Sequence, residues 1–275
     1  MVLNKANNTV LADVLDFDDA ISTITKKKVE KEQQAKSFHQ RNNASLAKIK
    51  DIYDKNQAVQ ACNKYFSNYQ IAIIYLAGSQ MRHTATKTSD VDLVVIVNSN
   101  VEDVLFHKPL ISKQVNFTSN DIEYDCKVYD KNRFYDLINK CSPELIEVLQ
   151  YQPIYCDDLD KDLCKLLYQK RQSLFLLNPL KAFKAFQGSI LNTQKRTQRN
   201  TDMHKLFKGQ AVVSSQTQLL ATFLQTQINP DYDLKVMLTN WETNLLPNFK
   251  PDQQLVEKVR QIFKDNMTET LKKQL

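Results

Sequence analysis

Apolar positions along this chain follow two periods, and the change from one to the other divides it. Ile71–Leu76 and Leu93–Val97 are short, nearly unbroken apolar runs, of the length and β-branched content that buried strands have. In the stretch 121–129, Ile122, Tyr124, Cys126 and Val128 alternate with Asp121, Glu123, Asp125 and Lys127, which predicts a strand with one buried face. The flanks have a different pattern. Residues 1 to about 65 contain no Gly or Pro and are rich in Lys, Gln, Asn and Ala, and Ile21, Ile24, Val29, Leu46, Ile49 and Ile52 recur at broadly helical spacing. This predicts two helices, the second over about 43–67 and leading into the first strand. Phe134–Asn139 and Glu144–Gln150 are helical patterns separated by Cys141-Ser142-Pro143, and Pro143 suits the first turn of the second. From about 159 onward the pattern is helical throughout: Leu163–Leu177, Pro179–Gln194, Lys205–Gln227, Leu234–Asn244 and Gln253–Lys272. The expected fold class is α/β (α+β), a small mixed sheet flanked by helices and followed by an all-helical domain. The expected division is a helical extension over 1–65, a core over 66–158 and a helical domain over 159–275.

Composition narrows the setting. With 275 residues and 42% apolar content the chain can bury a substantial core. No apolar run approaches the roughly 20 residues of a membrane span. The segment Met1–Asn8 lacks a signal-peptide apolar region, so a cytoplasmic location without membrane association is expected. Cysteines 62, 126, 141, 156 and 164 are odd in number and form no Cys-x-x-Cys pair, which points to reduced thiols rather than a structural zinc. The net charge of +6 is concentrated in two places, Lys26-Lys27-Lys28 and a group comprising Lys195, Arg196, Arg199, Lys205 and Lys208. Either group could meet a nucleic acid or a triphosphate, and a solvated helix face is the simpler alternative.

The candidate chemistry lies between the two apolar runs. Glycine occurs only at 78, 188 and 209, and Gly78 directly follows the first run, where a residue without Cβ permits a tight turn and close approach to a ligand. Ser79 adds a hydroxyl, and amides opening a short helix can hold phosphate oxygens. After ten intervening residues come Asp90 and Asp92, spaced to share one face of a strand. Paired carboxylates repel unless a cation lies between them, and hard oxygen ligands suit Mg²⁺ or Mn²⁺ better than zinc. Asp125 and Glu123 share a face of the acidic strand, and either could supply a third carboxylate.

Strand, Gly78-Ser79, Asp90-Val91-Asp92 leading into a strand, then an acidic strand: this order resembles the DNA polymerase β-like nucleotidyltransferase superfamily. The run Lys131–Leu149 looks like a segment of the predicted nucleotidyltransferases associated with RNA-repair pathways, and the similarity covers roughly Ile71 to Phe223. The resemblance implies transfer of a nucleoside monophosphate from an NTP, with two Mg²⁺ or Mn²⁺ ions bound by Asp90, Asp92 and a third carboxylate. It favours Asp125 for that place because Asp125 lies nearer the Phe134 helix. It further implies that Gly78 and Ser79 hold the β- and γ-phosphates, and it makes Arg82, Lys87 and Lys208 candidate triphosphate contacts. The chain departs from the family in several places. Ser142-Pro143 replaces a usual Asn-Pro, Gln80 and Met81 stand where an Arg and an aromatic are usual, and Val212 and Ser215 occupy the places of a His/Arg pair after Lys208.

RNA is the favoured acceptor, given the basic C-terminal segment and the family association; a protein side chain or a small molecule such as an aminoglycoside is the alternative. Arg199 and His204 also match the Arg-x₄-His spacing of helical ribonucleases, a pattern short enough to arise by chance. His83 lies within the candidate phosphate-binding stretch, and Trp241, Tyr151 and Tyr155 could stack on a base, with solvation or core packing as the ordinary roles.

Overall fold

The structure is a computed structural model that describes residues 54–86, 88–99, 101, 112–226 and 233–274. The first predicted helix and the Lys26-Lys27-Lys28 group lie outside the described residues, as does Lys87. The first described helix, α1, spans Lys55–Tyr65, and the part of the expected 43–67 helix before residue 54 lies outside the described residues. Asp54 is extended and its carboxylate accepts from the Asn56 amide at 2.8 Å, an N-cap that fixes where the helix starts.

Strand β1 is Ile71–Leu76, as the apolar run predicts. A single helical turn, α2, covers Gly78–Met81, and β2 covers Val91–Val97. Two further strands follow, β3 at Ser112–Ser119 and β4 at Ile122–Asp130. They form a hairpin whose two turn residues, Asn120 and Asp121, have φ of 51° and 59°. Positive φ at both positions matches the twist of the flanking strands, so Asp121 is a turn residue rather than the first residue of the strand. The sheet has the order β3-β4-β2-β1-β5, where β5 is the pair Tyr155–Cys156. β2 and β4 run parallel and the other neighbours antiparallel, giving a mixed sheet.

Helices cover both faces. On one face α1 packs through Ala58 and Cys62 against Ile74, Leu93, Val95, Tyr124, Cys126 and Val128. The other face, with Ile73, Tyr75, Val94 and Ile96, joins one core with later described helices. These are α3 (Lys131–Asn139), α4 (Pro143–Val148), α5 (Lys161–Gln169), α6 (Pro179–Gln198), α7 (Met203–Phe223), α8 (Leu234–Asn240) and α9 (Gln253–Gln274). Phe134, Ile146, Phe183, Leu220, Trp241 and Phe263 join this one core, each fully buried large side chain contributing about 1.5–3 kcal/mol. Sheet and C-terminal helices thus share a core, and Tyr53–Leu275 forms one compact unit.

The helical expectations need local correction. Leu163–Leu177 is not continuous: α5 ends at Gln169 and a tighter 3₁₀ turn carries Arg171–Leu177. The α8 helix gives way at Trp241 to a wider π turn through Leu245. Pro143 does occupy the first turn of α4. Among the described residues, no helix is long and apolar enough to cross a membrane.

Candidate active site

The turn after β1 is built around Gly78. Its φ is +58°, a conformation that side chains rarely adopt, and a Cβ there would fall 1.7 Å from Asp92 Oδ2. The chain therefore passes directly over the carboxylate. The Ala77 amide donates to the Asp92 carbonyl at 2.9 Å, fixing the turn to the start of β2, and the Thr84 amide closes the loop on the Ser79 carbonyl at 2.9 Å. The Ser79 amide is aimed at Asp92 Oδ2 at a long 3.4 Å. The Ser79 hydroxyl is buried and finds no hydrogen-bond partner among the described residues.

Parallel pairing of β2 with β4 sets Asp92 directly beside Asp125, and Asp90 precedes β2 by one residue. Ligand oxygens of all three acids lie within 4.8 Å of one another, and each residue is half-buried. Burial, and next the Asp90 carboxylate, push the Asp92 carboxyl above its ordinary range, with Asp125 adding to the effect; the Ser79 amide and Lys208 oppose it. The Gln114 side-chain amide of β3 donates to both Asp125 oxygens, at 3.0 and 2.8 Å, and so fixes that carboxylate's orientation. Glu123 is exposed, stands beyond the paired stretch that begins with Val91 opposite Tyr124, and is not in the cluster. Of the two alternatives for a third acid, the geometry brings Asp125 to the pair.

These acids line a cleft of about 570 Å³ together with Gly78, Ser79 and Arg82 from the turn. Its other walls bring Lys127 and Glu144, which form an ion pair, and Arg196, Lys208 and Gln216 from α6 and α7. Gln216 is buried and its Oε1 has no partner among the described residues, a second orphaned polar atom at this space. Arg82 borders the cleft but is engaged elsewhere. Its Nε and Nη2 donate to the two oxygens of Glu147 at 2.7 and 2.8 Å, and the Ser215 hydroxyl of α7 donates to the same carboxylate at 2.6 Å. Glu147, with 2% of its side chain exposed, thus joins the Gly-Ser turn, α4 and α7.

Gln114, Glu147 and Gln216 were not legible as site residues, because a polar residue in an exposed strand or amphipathic helix carries no spacing signal. Lys127 had one, since the alternation of β4 places it on the same face as Asp125. His83 is exposed, with φ of 56°, and does not line the cleft. Trp241 is core, Tyr151 is exposed and Tyr155 half-buried, and none of the three reaches the cleft. Arg199 and His204 are both exposed at the α6–α7 turn, outside the cleft.

Three carboxylates at one corner, a glycine turn pressed onto one of them and cations across the cleft form an arrangement suited to hard cations and phosphate. Residues 47–160 match the family model described as polymerase beta, nucleotidyltransferase. Among solved structures the chain is similar to a nucleotidyltransferase-like protein from Exiguobacterium sibiricum 255-15. The identity is 9% and the TM-score 0.35, over 80% of this chain and 74% of that one, a likeness that assigns no residue a role. No curated protein matches. The matched stretch contains the Gly-Ser turn and all three clustered aspartates, so the part of the chain that builds the site is similar to the polymerase beta nucleotidyltransferase family.

Proposed function

We propose that the protein transfers a nucleoside monophosphate from an NTP to an acceptor hydroxyl and releases pyrophosphate. The observation that carries this is the convergence of Asp90, Asp92 and Asp125 within 4.8 Å beside the Gly78 turn. Three oxygen-only ligands, one of them disfavoured as an anion by burial and by its neighbour, fit divalent magnesium or manganese. Held by Asp90, Asp92 and Asp125, such ions would neutralise charge growing at the α-phosphate and ease deprotonation of the attacking hydroxyl.

The chain's own groups do the rest. The Ser79 hydroxyl, buried without a partner, is available to a phosphate oxygen of the donor, and Gly78 keeps the backbone low enough for that approach. Lys208 faces the acids across the cleft and balances the triphosphate's charge. Asp125, held by Gln114 through both oxygens, takes the proton from the acceptor hydroxyl. Arg82 acts as a brace through Glu147, its two bonded nitrogens being turned to that carboxylate. The Lys127–Glu144 pair borders the same space and helps shape its rim.

RNA is the acceptor we favour, since cations from α6 and α7 form the far wall of the cleft. Incubating the protein with each α-³²P-labelled NTP and Mg²⁺ or Mn²⁺, with and without a small-RNA pool, tests this reading. Label should move to RNA with wild type and not with the Asp90→Ala/Asp92→Ala double variant. Transfer that survives in the double variant would overturn the assignment of the site. Label moving to protein or to a small molecule would retain the transferase and replace the acceptor.

A further inference from the structure

Beside the cleft lies a second cavity of about 330 Å³, between the end of α6 and the first turns of α7. Arg196, Thr197, Asn200, Lys205 and Lys208 line it, and no carboxylate among the described residues does. Arg196 and Lys208 also border the catalytic cleft, so the two spaces share a wall of cations. The helices are brought close by Gly209, where a Cβ would fall 2.0 Å from Thr197 Oγ1.

This crowding of cations is costly in the free protein. Lys205 stands in the first turn of α7, where the positive end of the helix dipole disfavours it, and Lys208 follows one turn on. Asp202, the acid that precedes Lys205, is occupied in capping α7, accepting from the His204 amide at 2.9 Å and the Lys205 amide at 3.4 Å. Its other oxygen is 3.9 Å from the Lys205 ammonium, a distant, exposed pair. A ligand-sized space lined by like charges at a helix start lowers its free energy when an anion enters.

We infer that this cavity is the acceptor subsite, holding a backbone phosphate of the single-stranded RNA whose terminal hydroxyl attacks in the cleft; this rests on the transferase reading above. Phosphate could come from the NTP tail or from a strand. The strand fits better, because Ser79 and the three aspartates that must meet the donor line the cleft and not this cavity. Lys195 and Arg199, exposed on the same segment, carry the positive track onward, as a polymer requires and a triphosphate does not.

Lys205→Glu tests the subsite, because Lys205 is exposed and lines this cavity and not the cleft. A glutamate in the first turn of α7 favours the helix, so the melting temperature should hold or rise. Two bindings are followed: a short labelled single-stranded RNA by fluorescence anisotropy over a range of salt, and a non-hydrolysable α,β-methylene NTP with Mn²⁺. The expected result is RNA binding weaker by ~10-fold, a log K against log salt slope shallower by about one, and NTP affinity held within about twofold. Unchanged RNA affinity in the variant would overturn the subsite and leave the transferase intact. An equal loss of NTP affinity would assign the cavity to the donor's phosphates and overturn it likewise. Wild type that binds NTP but no RNA would overturn subsite and RNA acceptor together. Wild type that binds neither would sink the transferase reading too.

Discussion

Two charged clusters border the same cleft and are built on opposite rules. Around Glu147 each charge is answered: Arg82 gives it two hydrogen bonds and Ser215 a third, and the carboxylate is almost wholly buried. A similar arrangement ties α3 to α9, where Lys131 pairs with Asp160 at 2.7 Å and Asn266 donates to the other Asp160 oxygen. At the Asp90, Asp92 and Asp125 corner three like charges meet, and a buried hydroxyl stands by without a partner. Burial disfavours the charged form in both clusters. The difference is that the first is compensated from within, which makes it a brace. The second is left for something from outside to compensate, which marks a site.

Breaking the uncompensated cluster should have the largest effect on activity and none of that kind on the fold. Asp90→Ala/Asp92→Ala should lower nucleotidyl transfer on the order of 10³-fold or more, since several kcal/mol of transition-state charge stabilisation are lost at about 1.36 kcal/mol per tenfold. Its circular dichroism spectrum should be unchanged. Breaking the brace should do the reverse. Glu147→Ala leaves the half-buried Arg82 without its counter-charge and the Ser215 hydroxyl without its acceptor, and should cost up to about 3 kcal/mol in denaturant unfolding. Gly78→Ala touches both properties, because the left-handed backbone costs roughly 1–2 kcal/mol and the new Cβ displaces Asp92. The unfolding midpoint and kcat should fall together. Gln114→Ala is the mildest: Asp125 loses its orienting donor, kcat should drop about 10-fold, and KM for NTP should stay near its wild-type value.

Much of the corner was legible before the fold. β1 matches its apolar run, and the period of two in Asp90-Val91-Asp92 and in β4 does put the carboxylates on a common face. Glu123 and Asp125 could not be separated from spacing alone. Only the register, Asp92 opposite Asp125, decides which of them meets the pair. β3 escaped notice because it is a sheet edge with largely exposed positions, among them Ser112, Lys113, Gln114 and Asn116, so it lacks an apolar face. The brace escaped for a related reason: Glu147 in an amphipathic helix looks solvated until Arg82 and Ser215, distant in sequence, close over it.

The contrast between the two clusters is tested most directly by the thermal unfolding of wild type and Asp92→Asn, each alone and with Mn²⁺ plus a non-hydrolysable NTP. Because the folded protein holds the Asp92 carboxyl above its ordinary range, that group favours the fold at low pH, and its contribution is lost as pH rises through the raised value. At neutral pH, without ligand, Asp92→Asn should therefore melt higher than wild type. With Mn²⁺ and nucleotide the order should reverse, wild type gaining several degrees and the variant almost none. An Asp92→Asn protein that melts lower than wild type without ligand, or gains as much from Mn²⁺ and nucleotide, would contradict the account.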